Sequence, residues 1–487
     1  MSSTLKQKAV SGMIWAALQR YSTIFILFIS GIILARLLTP YDYGCIGMLT
    51  IFMTLAQTFI DSGFGSALIQ KKHPTQVDYS TIFWWNIGIA FIMYTILYVS
   101  APNIAEFDRI PILSKVLRVQ GLILFIYAFN IIQQNQLRKN LNFKLLSIVT
   151  ITTSLIALTI TIWMAYTGFG VWALVTQYMI TAAIPAVVFW FTIKWRPIFV
   201  FSIKSFKELF SFGFYMFLTQ LINEFSQQVQ GLMIGRVYNS SILGYYSKAR
   251  QSERLASTSI SQIMTQVTYP LYAEVQNDKE RMSNMIKKVT MTLAYISFPM
   301  MFVLLLCAKP IFVLLYSERW LPCVPYFQIL CFSGLALCLQ STNTQAIAAI
   351  GKSEIMFKWT VFKRLVGLCY VIGGVFLFGI KGLLLGAVLN TWCSYFVNIG
   401  LVSKYIGYKW WQQIKNLFPI MFIAIISTVV SYEISNVLSL SMYFDGVIKI
   451  SVFMIIYLGW SFISKPDAFI YFKDLVLPYL KKRKYKS

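Results

Sequence analysis

The sequence predicts an all-α polytopic membrane protein with 14 transmembrane helices: two parallel-repeat six-helix lobes around a central cavity, followed by two C-terminal helices. Three observations predict this architecture: an apolar composition, regularly spaced apolar windows and an internal repeat. Hydrophobic residues make up 57% of the 487 residues, charged residues make up 12%, and the mean hydropathy is +0.66. Soluble domains average about 25% charged residues, so much of this apolar surface must face lipid.

Apolar windows long enough to cross a bilayer alternate with short connectors that contain charged, proline and glycine residues. The predicted segments are 10–36, 44–68, 80–101, 115–133, 145–166, 169–193, 206–235, 244–273, 289–307, 326–349, 359–379, 383–403, 417–436 and 446–464. The first window is much longer than the ~7–15-residue apolar core of a secretion signal. We therefore expect it to remain as the first membrane helix.

Basic residues collect on one side of these segments. When the N-terminus, the loops after even-numbered segments and the C-terminal tail are placed together, that side holds most of the 42 lysines and arginines. The opposite loops hold Arg109, Arg236, Lys309, Arg319 and Lys381. The positive-inside rule thus predicts that both termini are cytoplasmic. It also explains the net charge of +25 as a topology signal, so no nucleic-acid partner is expected.

The first half of the chain recurs in the second half at an offset of 200 residues. This offset aligns Gly31 with Gly231, Arg36 with Arg236, Gly44 with Gly244 and Thr58 with Thr258. Because it passes over an even number of segments, the two lobes should have parallel orientation. The predicted organisation is a lobe at 1–200, a lobe at 201–405, two additional helices at 406–464, and a basic amphipathic cytoplasmic tail at 465–487 that lies on membrane lipids.

Polar side chains follow one face of the first two helices of each half. In the eighth segment they are Arg250, Arg254, Ser257, Thr258, Ser261, Thr265 and Thr268, and in the second they are Thr50, Thr54, Gln57, Thr58 and Asp61. The first segment carries Gln19, Arg20, Thr23 and Ser30, and the seventh carries Thr219, Gln220, Asn223, Glu224, Gln227 and Gln230. Such faces would be costly in lipid. The two helix pairs are therefore predicted to line a shared aqueous cavity.

The candidate binding residues are drawn from these faces. They are Arg20, Thr58, Asn223, Gln230, Arg250, Arg254 and Thr258. Arg254 lies about ten residues into its helix, about 15 Å deep, where snorkelling to the surface is difficult. Arg250 and Arg254 could bind an anion or form a structural ion pair, whereas Arg36 and Arg236 lie at helix ends and suit capping or snorkelling.

Acidic side chains inside the cavity walls are few: Asp61, Glu224 and Glu253. A carboxylate within the membrane can carry a proton or a sodium ion, or it can neutralise a nearby arginine. The sequence leaves these roles open.

Several function classes lack their sequence features. The seven cysteines are scattered through apolar segments without a C-x-x-C pair, and His73 is the single histidine, so neither a metal site nor a disulfide framework is expected. No nucleotide-binding P-loop is evident, so we expect no cofactor and no ATP hydrolysis. An integral-membrane glycosyltransferase or polymerase would need acids or an arginine pair on a substantial external loop. The longest such loop carries only Lys309, Glu318 and Arg319, so we expect no enzyme.

The motifs resemble those of Wzx-type polysaccharide flippases, in particular the colanic-acid-exporter-like branch of the multidrug/oligosaccharidyl-lipid/polysaccharide exporter superfamily. The motifs are ILARLL at 33–38, DSGFGSALIQK at 61–71, IGR at 234–236 and LGYY at 243–246. Gln230 stands where family members often have an acid, which weakens a coupling scheme based on that position.

The resemblance implies a flippase that moves a polyprenyl-pyrophosphate-linked oligosaccharide across the bacterial inner membrane by alternating access, for surface polysaccharide synthesis. Arginines would bind the pyrophosphate and neutral polar groups would bind the sugars, while a polysaccharide polymerase and other assembly proteins would be partners. The alternative is an ion-coupled multidrug or metabolite antiporter of the same superfamily. A site for cationic drugs should be acidic, however, and these candidates are mainly basic.

Overall fold

The computed structural model describes residues 3–71, 73–140, 142–350, 353–438 and 441–473, and these ranges contain sixteen α-helices and no β-strand. The helices are α1 (Ser3–Leu37), α2 (Pro40–Asp61), α3 (Phe64–Gln70), α4 (Gln76–Phe107), α5 (Ile112–Gly121), α6 (Ile123–Lys139), α7 (Phe143–Tyr166), α8 (Val171–Thr192), α9 (Ile203–Val237), α10 (Ser240–Glu274), α11 (Lys279–Leu306), α12 (Ala308–Tyr316), α13 (Cys323–Ala349), α14 (Ser353–Tyr405), α15 (Trp410–Leu438) and α16 (Met442–Ser464). A single 3₁₀ turn, Glu318–Trp320, precedes α13.

Short polar motifs fix where α2 and α4 begin. Thr39 caps α2 and Thr75 caps α4, and in each case the aspartate three residues later completes a capping box. These reciprocal hydrogen bonds satisfy backbone N–H groups that a helix start leaves unpaired. α2 ends at Asp61, because Ser62 and Gly63 adopt left-handed backbone angles. The predicted second segment, 44–68, is therefore divided between α2 and α3.

Eleven helical segments in the described ranges are long and apolar enough to cross a bilayer. One of them, Lys358–Tyr405, contains the two predicted segments 359–379 and 383–403, which meet at a kink where Gly379 has a φ of +59°. α9 and α10 coincide with the predicted seventh and eighth segments, but they are more polar and are not among the eleven. The all-α membrane class is confirmed, whereas the count of 14 spans stays a prediction.

The chain forms two compact units that divide between Ser247 and Lys248, inside α10. In the first unit α1 packs on α7, α7 on α8, α8 on α6, α6 on α4 and α4 on α2. α9 packs along α2, α3 and α4, so it belongs to this unit even though it begins the second sequence repeat. The predicted lobe boundaries, which rest on the repeat, stay a prediction.

A charged cluster joins the elements at one end of the first unit. Lys71 Nζ lies 3.0 Å from a carboxylate oxygen of Asp78 on α4 and 3.0 Å from one of Glu208 on α9. Burial lowers the pKa of Lys71, but the hydrogen bonds to Glu208 and Asp78 outweigh it, so the pKa lies above its ordinary value. Lys139 Nζ donates to the carbonyl oxygen of Leu68, 2.9 Å away, near the end of α3.

The second unit is built on α11, which packs against α13, α15 and α16. In its core the Tyr295 hydroxyl donates to Ser461 Oγ, 2.9 Å away, and the Tyr457 hydroxyl donates to the Tyr295 carbonyl oxygen, 3.0 Å away. Residues 467–473 of the predicted tail are helical, and Phe469 and Phe472 contact the Tyr295 ring. The rest of the tail, including its basic run, lies outside the described residues.

Candidate functional site

The predicted site residues are distributed between the two units. Arg20, Thr58, Asp61, Asn223, Glu224 and Gln230 belong to the first unit, and Arg250, Glu253, Arg254 and Thr258 belong to the second. Arg20 and Arg254 are exposed, Arg250 and Thr258 are partly buried, and Glu253 is buried. Asn223 and Glu224 are partly buried on neighbouring positions of α9. The assembly of all ten residues into one site stays a prediction.

The polar face of α2 satisfies its own hydroxyl groups. The hydroxyls of Thr50, Thr54 and Thr58 each donate to the carbonyl oxygen four residues earlier, at 2.7, 2.7 and 2.8 Å. A hydroxyl that donates inside its helix keeps lone pairs that can still accept a hydrogen bond. Thr58 is buried, with 4% of its surface exposed, whereas Thr50 and Thr54 border a cavity.

That cavity lies inside the first unit and measures about 310 Å³. Its polar lining comes from one face of each contributing helix. The lining residues include Thr50, Thr54 and Gln57 on α2, Gln120 on α5, Tyr127, Asn130 and Gln134 on α6, and Tyr178 and Thr181 on α8. The cavity lining contains no Asp, Glu, Lys, Arg or His, so the chemistry it offers is neutral.

Gln230 takes part in the packing between α9 and α10. It is buried, and its Oε1 accepts a hydrogen bond of 2.6 Å from the Tyr246 hydroxyl. Close by in the sequence, Arg236 Nη1 donates to the Phe107 carbonyl oxygen at 2.7 Å, and its guanidinium lies 4.2 Å from the Phe107 ring centre. Arg236 therefore caps the last turn of α4, one of the two roles expected for it.

Equivalent glycines of the two repeats meet where α2 and α10 begin. A Cβ added at Gly44 would lie 1.8 Å from the Ser240 carbonyl oxygen, and one added at Gly244 would lie 1.9 Å from the Pro40 carbonyl oxygen. The offset of 200 residues pairs Gly44 with Gly244 and Pro40 with Ser240. The contact is thus reciprocal between repeat-equivalent positions, as in an isologous interface. We name these four residues the glycine crossing.

In the second unit, the polar face of α10 carries charge. Thr258 Oγ1 donates to the Arg254 carbonyl oxygen at 2.5 Å, as the threonines of α2 do in their own helix. Glu253 is 5% exposed, and its Oε1 has no hydrogen-bond partner. Gly334 of α13 makes room for this carboxyl, because a Cβ there would lie 2.8 Å from Oε1.

Asp61 is the last residue of α2, and its place in a cavity wall stays a prediction. Its Oδ1 lies near Gly65, where an added Cβ would approach it to 3.0 Å and the side-chain amide nitrogen of Asn135 to 3.0 Å. Arg138 on α6 is close enough to interact with it electrostatically. Among the described residues there is no group of three or more His, Cys, Asp or Glu that could hold a metal ion.

The family model described as "Polysaccharide biosynthesis protein" matches residues 33–325, which is more than half of the chain. The chain belongs to this family. The match begins within the ILARLL motif and includes the glycine crossing, the α2 face and the α10 face. The resemblance drawn from the motifs is therefore confirmed.

Curated proteins from three bacteria are similar to this chain. The teichuronic acid biosynthesis protein TuaB of Bacillus subtilis is 27% identical, over 74% of both chains. The lipopolysaccharide biosynthesis protein WzxC of Escherichia coli is 24% identical over 89% of both chains. The succinoglycan biosynthesis transport protein ExoT of Rhizobium meliloti is 26% identical over 84% of this chain and 81% of its own length.

Solved structures show the same fold. The lipid II flippase MurJ in an inward closed conformation superposes with a TM-score of 0.77 at 16% identity, covering 95% of this chain and 100% of MurJ. An inward-facing multidrug resistance transporter of the MATE family gives a TM-score of 0.60 at 14% identity, covering 84% and 98%. At these identities the likeness concerns the fold. This family member is thus a multi-pass membrane protein with a transporter fold.

The polar face predicted from the sequence of this family member contains Thr50, Thr54 and Gln57, but the opposite wall of the cavity was not predicted. Tyr127, Asn130 and Gln134 recur at spacings of three and four residues on α6. This spacing is typical of one helix face, so the sequence does contain the pattern of this wall. It is obscured because other amides of α6, such as Gln133, are buried on different faces.

Proposed function

We propose that this protein flips a polyprenyl-pyrophosphate-linked oligosaccharide from the cytoplasmic to the outer leaflet, for the assembly of a surface polysaccharide. The observation that carries the proposal is the family match over residues 33–325. Two relatives support it by their names, which describe a lipopolysaccharide biosynthesis protein and a succinoglycan biosynthesis transport protein. The fold shared with a lipid II flippase is compatible with a lipid-linked glycan as substrate.

The polar faces supply chemistry that suits such a substrate. A pyrophosphate carries negative charge, and its passage through hydrocarbon is prohibitive without compensating contacts. Arg250 and Arg254 lie one helical turn apart on α10, so their guanidinium groups offer charge-assisted hydrogen bonds to phosphate oxygens. Arg20, Thr58, Asn223, Gln230 and Thr258 are assigned to the same substrate path. The polyprenyl chain stays in lipid, which it matches in polarity.

Glu253 is the strongest candidate for ion coupling. A buried carboxylate is costly when one oxygen lacks a partner, and Glu253 Oε1 is such an oxygen. A proton or a sodium ion would supply the missing partner, and its release in another conformation would couple the gradient to transport. Asp61, which lies at a helix end near Arg138, and Glu224 are the other candidates.

The topology proposed from the basic loops places both termini in the cytoplasm of a bacterium, with the protein in the inner membrane. The partners we propose are the surrounding lipids, a polysaccharide polymerase and other assembly proteins. The protein itself would make no covalent change in its substrate. The two states needed for transport would alternate in exposing the substrate path to each leaflet.

The test is mass spectrometry of polyprenyl-linked glycans in a strain that lacks the protein, with leaflet location measured by accessibility to an external glycosidase. We expect one lipid-linked oligosaccharide to accumulate in the inner leaflet, protected from the enzyme, and to disappear on complementation. If no such lipid accumulates and the strain becomes sensitive to cationic drugs instead, the antiporter alternative replaces the flippase.

A further inference from the structure

Neutral polar groups surround the 310 Å³ cavity of the first unit on three sides. On α2 and α8 the cavity meets hydroxyls that already donate within their own helices: Thr50 and Thr54 at 2.7 Å, and Thr181 at 2.9 Å to the Gln177 carbonyl oxygen. These hydroxyls present lone pairs to the cavity. The cavity walls therefore contain oxygen atoms that can accept hydrogen bonds from a ligand.

Two amide side chains in the cavity wall have oxygen atoms without partners. Gln120 is 5% exposed and Asn130 is 4% exposed, yet Gln120 Oε1 and Asn130 Oδ1 accept no hydrogen bond from the protein. A buried acceptor without a hydrogen bond is destabilising. Each unpaired oxygen in a functional protein therefore calls for an explanation, and both side chains border the cavity.

The chemistry of the lining distinguishes among ligand classes. A charged sugar or phosphate would meet no counter-charge, because the lining has no acidic or basic side chain. A metal cation needs oxygen atoms that converge within about 2.3–2.6 Å, whereas these acceptors are spread around a space that would hold roughly ten waters at ~30 Å³ each. The volume falls at the lower end of the roughly 300–1,000 Å³ typical of small-molecule sites.

We propose that this cavity is a subsite for a neutral sugar residue, held by hydrogen bonds to the amide and hydroxyl groups of its lining, Gln120 and Asn130 among them. Sugar hydroxyls are donors at close spacing, and their oxygens accept from the amide N–H groups of the same side chains. The rings of Tyr127 and Tyr178 supply apolar surface for the carbon face of a sugar. Thr181 of α8 lines the cavity and is also exposed on the unit.

The sugar subsite rests on the proposed flippase function and adds that two parts of the substrate are bound at different places. The arginines of α10 would bind the pyrophosphate, while this cavity in the first unit would bind one uncharged sugar of the glycan. A repeat unit built only from charged sugars would be a poor substrate for this chain.

The direct test is saturation-transfer NMR on the full-length protein in lipid nanodiscs, with methyl β-glucoside and methyl β-galactoside as neutral probes and methyl glucuronide as the charged probe. We expect transfer to a neutral glycoside and at least fivefold weaker transfer to the glucuronide. Asn130→Leu and Gln120→Leu, which keep side-chain size and remove the acceptor, should each weaken the signal roughly tenfold, the loss expected from one unsatisfied hydrogen bond of about 1.4 kcal/mol.

Asn86→Leu is the matched control. Asn86 is 1% exposed and its Oδ1 also lacks a partner, but it does not line the cavity. This variant should keep the full signal. If the amide variants fail to fold, Ala182→Leu fills the cavity without removing a polar group and should abolish transfer. Size-exclusion elution of each variant reports folding.

The outcomes separate this proposal from the proposed function. No transfer to any neutral glycoside, or unchanged transfer in Asn130→Leu and Ala182→Leu, overturns the sugar subsite even if the deletion strain accumulates a lipid-linked glycan. Transfer that requires sodium and is equal for all probes would point to an ion in the cavity and also overturn it. Conversely, glycoside transfer in a protein whose deletion leaves lipid-linked glycans unchanged retains the subsite and rejects the flippase.

Discussion

α2 and α10 occupy equivalent places in the two sequence repeats, but they present different chemistry. α2 carries Thr50, Thr54 and Gln57 toward a neutral cavity, while α10 carries Arg250, Glu253 and Arg254 on its polar face. Both helices satisfy threonine hydroxyls by donation to their own backbone, as Thr58 and Thr258 show. The two repeats thus share the position of this threonine and its bond within the helix, while the other polar side chains differ in charge.

Under the proposed function, the two equivalent helices would bind different parts of the substrate. A lipid-linked glycan has a charged pyrophosphate joined to uncharged or charged sugars, and one neutral and one charged helix face match those two parts.

The largest effect is expected from removing the charge of α10. In Arg250→Ala with Arg254→Ala, the lost charge-assisted hydrogen bonds, roughly 1.5–3 kcal/mol each, should lower glycan transport on the order of a hundredfold or more. Transport is measured as surface polysaccharide in a complemented deletion strain. Arg281→Ala, at an exposed position in the first turn of α11, is the matched control and should transport normally. Wild-type flux in the double variant, with equal protein levels, would exclude the anion site.

Substitutions in the glycine crossing test whether equivalent positions of the two repeats are equally important for transport. Gly44→Ala and Gly244→Ala each place a Cβ within 2 Å of a backbone carbonyl oxygen, so the helix starts must separate at a cost of about 1–3 kcal/mol. We expect both to reduce transport strongly and to a similar extent. Gly88→Ala, whose added Cβ would meet no heavy atom within 4 Å, is the control.

Maleimide labelling of a neighbouring cysteine measures whether the helix starts separate at the glycine crossing. Cys45, next to Gly44, is fully buried, so in a chain with the other six cysteines replaced by serine it should resist maleimide. Gly44→Ala and Gly244→Ala should both make it reactive. A large effect at one glycine and none at the other would show that the two glycines of the crossing are not equivalent.

Glu253→Gln addresses coupling without removing the arginines. The amide has the shape of the carboxyl and cannot exchange a proton or bind sodium as a carboxylate does, so transport should lose its dependence on the ion gradient. We expect flux equal to that of the wild type treated with an ionophore. Glu274→Gln, at the exposed end of α10, should behave as the wild type. Ionophore-sensitive flux in Glu253→Gln would assign coupling to another group.

Most of the fold follows from the sequence, because apolar windows and basic connectors respond to the bilayer, which acts on each segment separately. The break after Asp61 does not follow, since Ser62 and Gly63 stand inside an otherwise apolar run. Their backbone is left-handed, and Gly63 closely approaches Gly213, which is distant in the sequence. The charged face of α10 could be predicted from the helical spacing of its residues. The cavity of the first unit could not be predicted, because it depends on which faces of α5, α6 and α8 meet.

Variants at and beside Gln230 distinguish a role in substrate binding from a role in helix packing. It was predicted as a binding residue, and in the first unit it accepts from the buried Tyr246 hydroxyl at 2.6 Å. Tyr246→Phe removes that donor, which should cost about 1–3 kcal/mol and lower the thermal midpoint by a few degrees, with less than a twofold change in transport. Tyr443→Phe, at an exposed position, should change neither. If Gln230→Leu abolishes transport at an unchanged midpoint, the glutamine contacts substrate; if it lowers the midpoint as Tyr246→Phe does and transport persists, it serves helix packing.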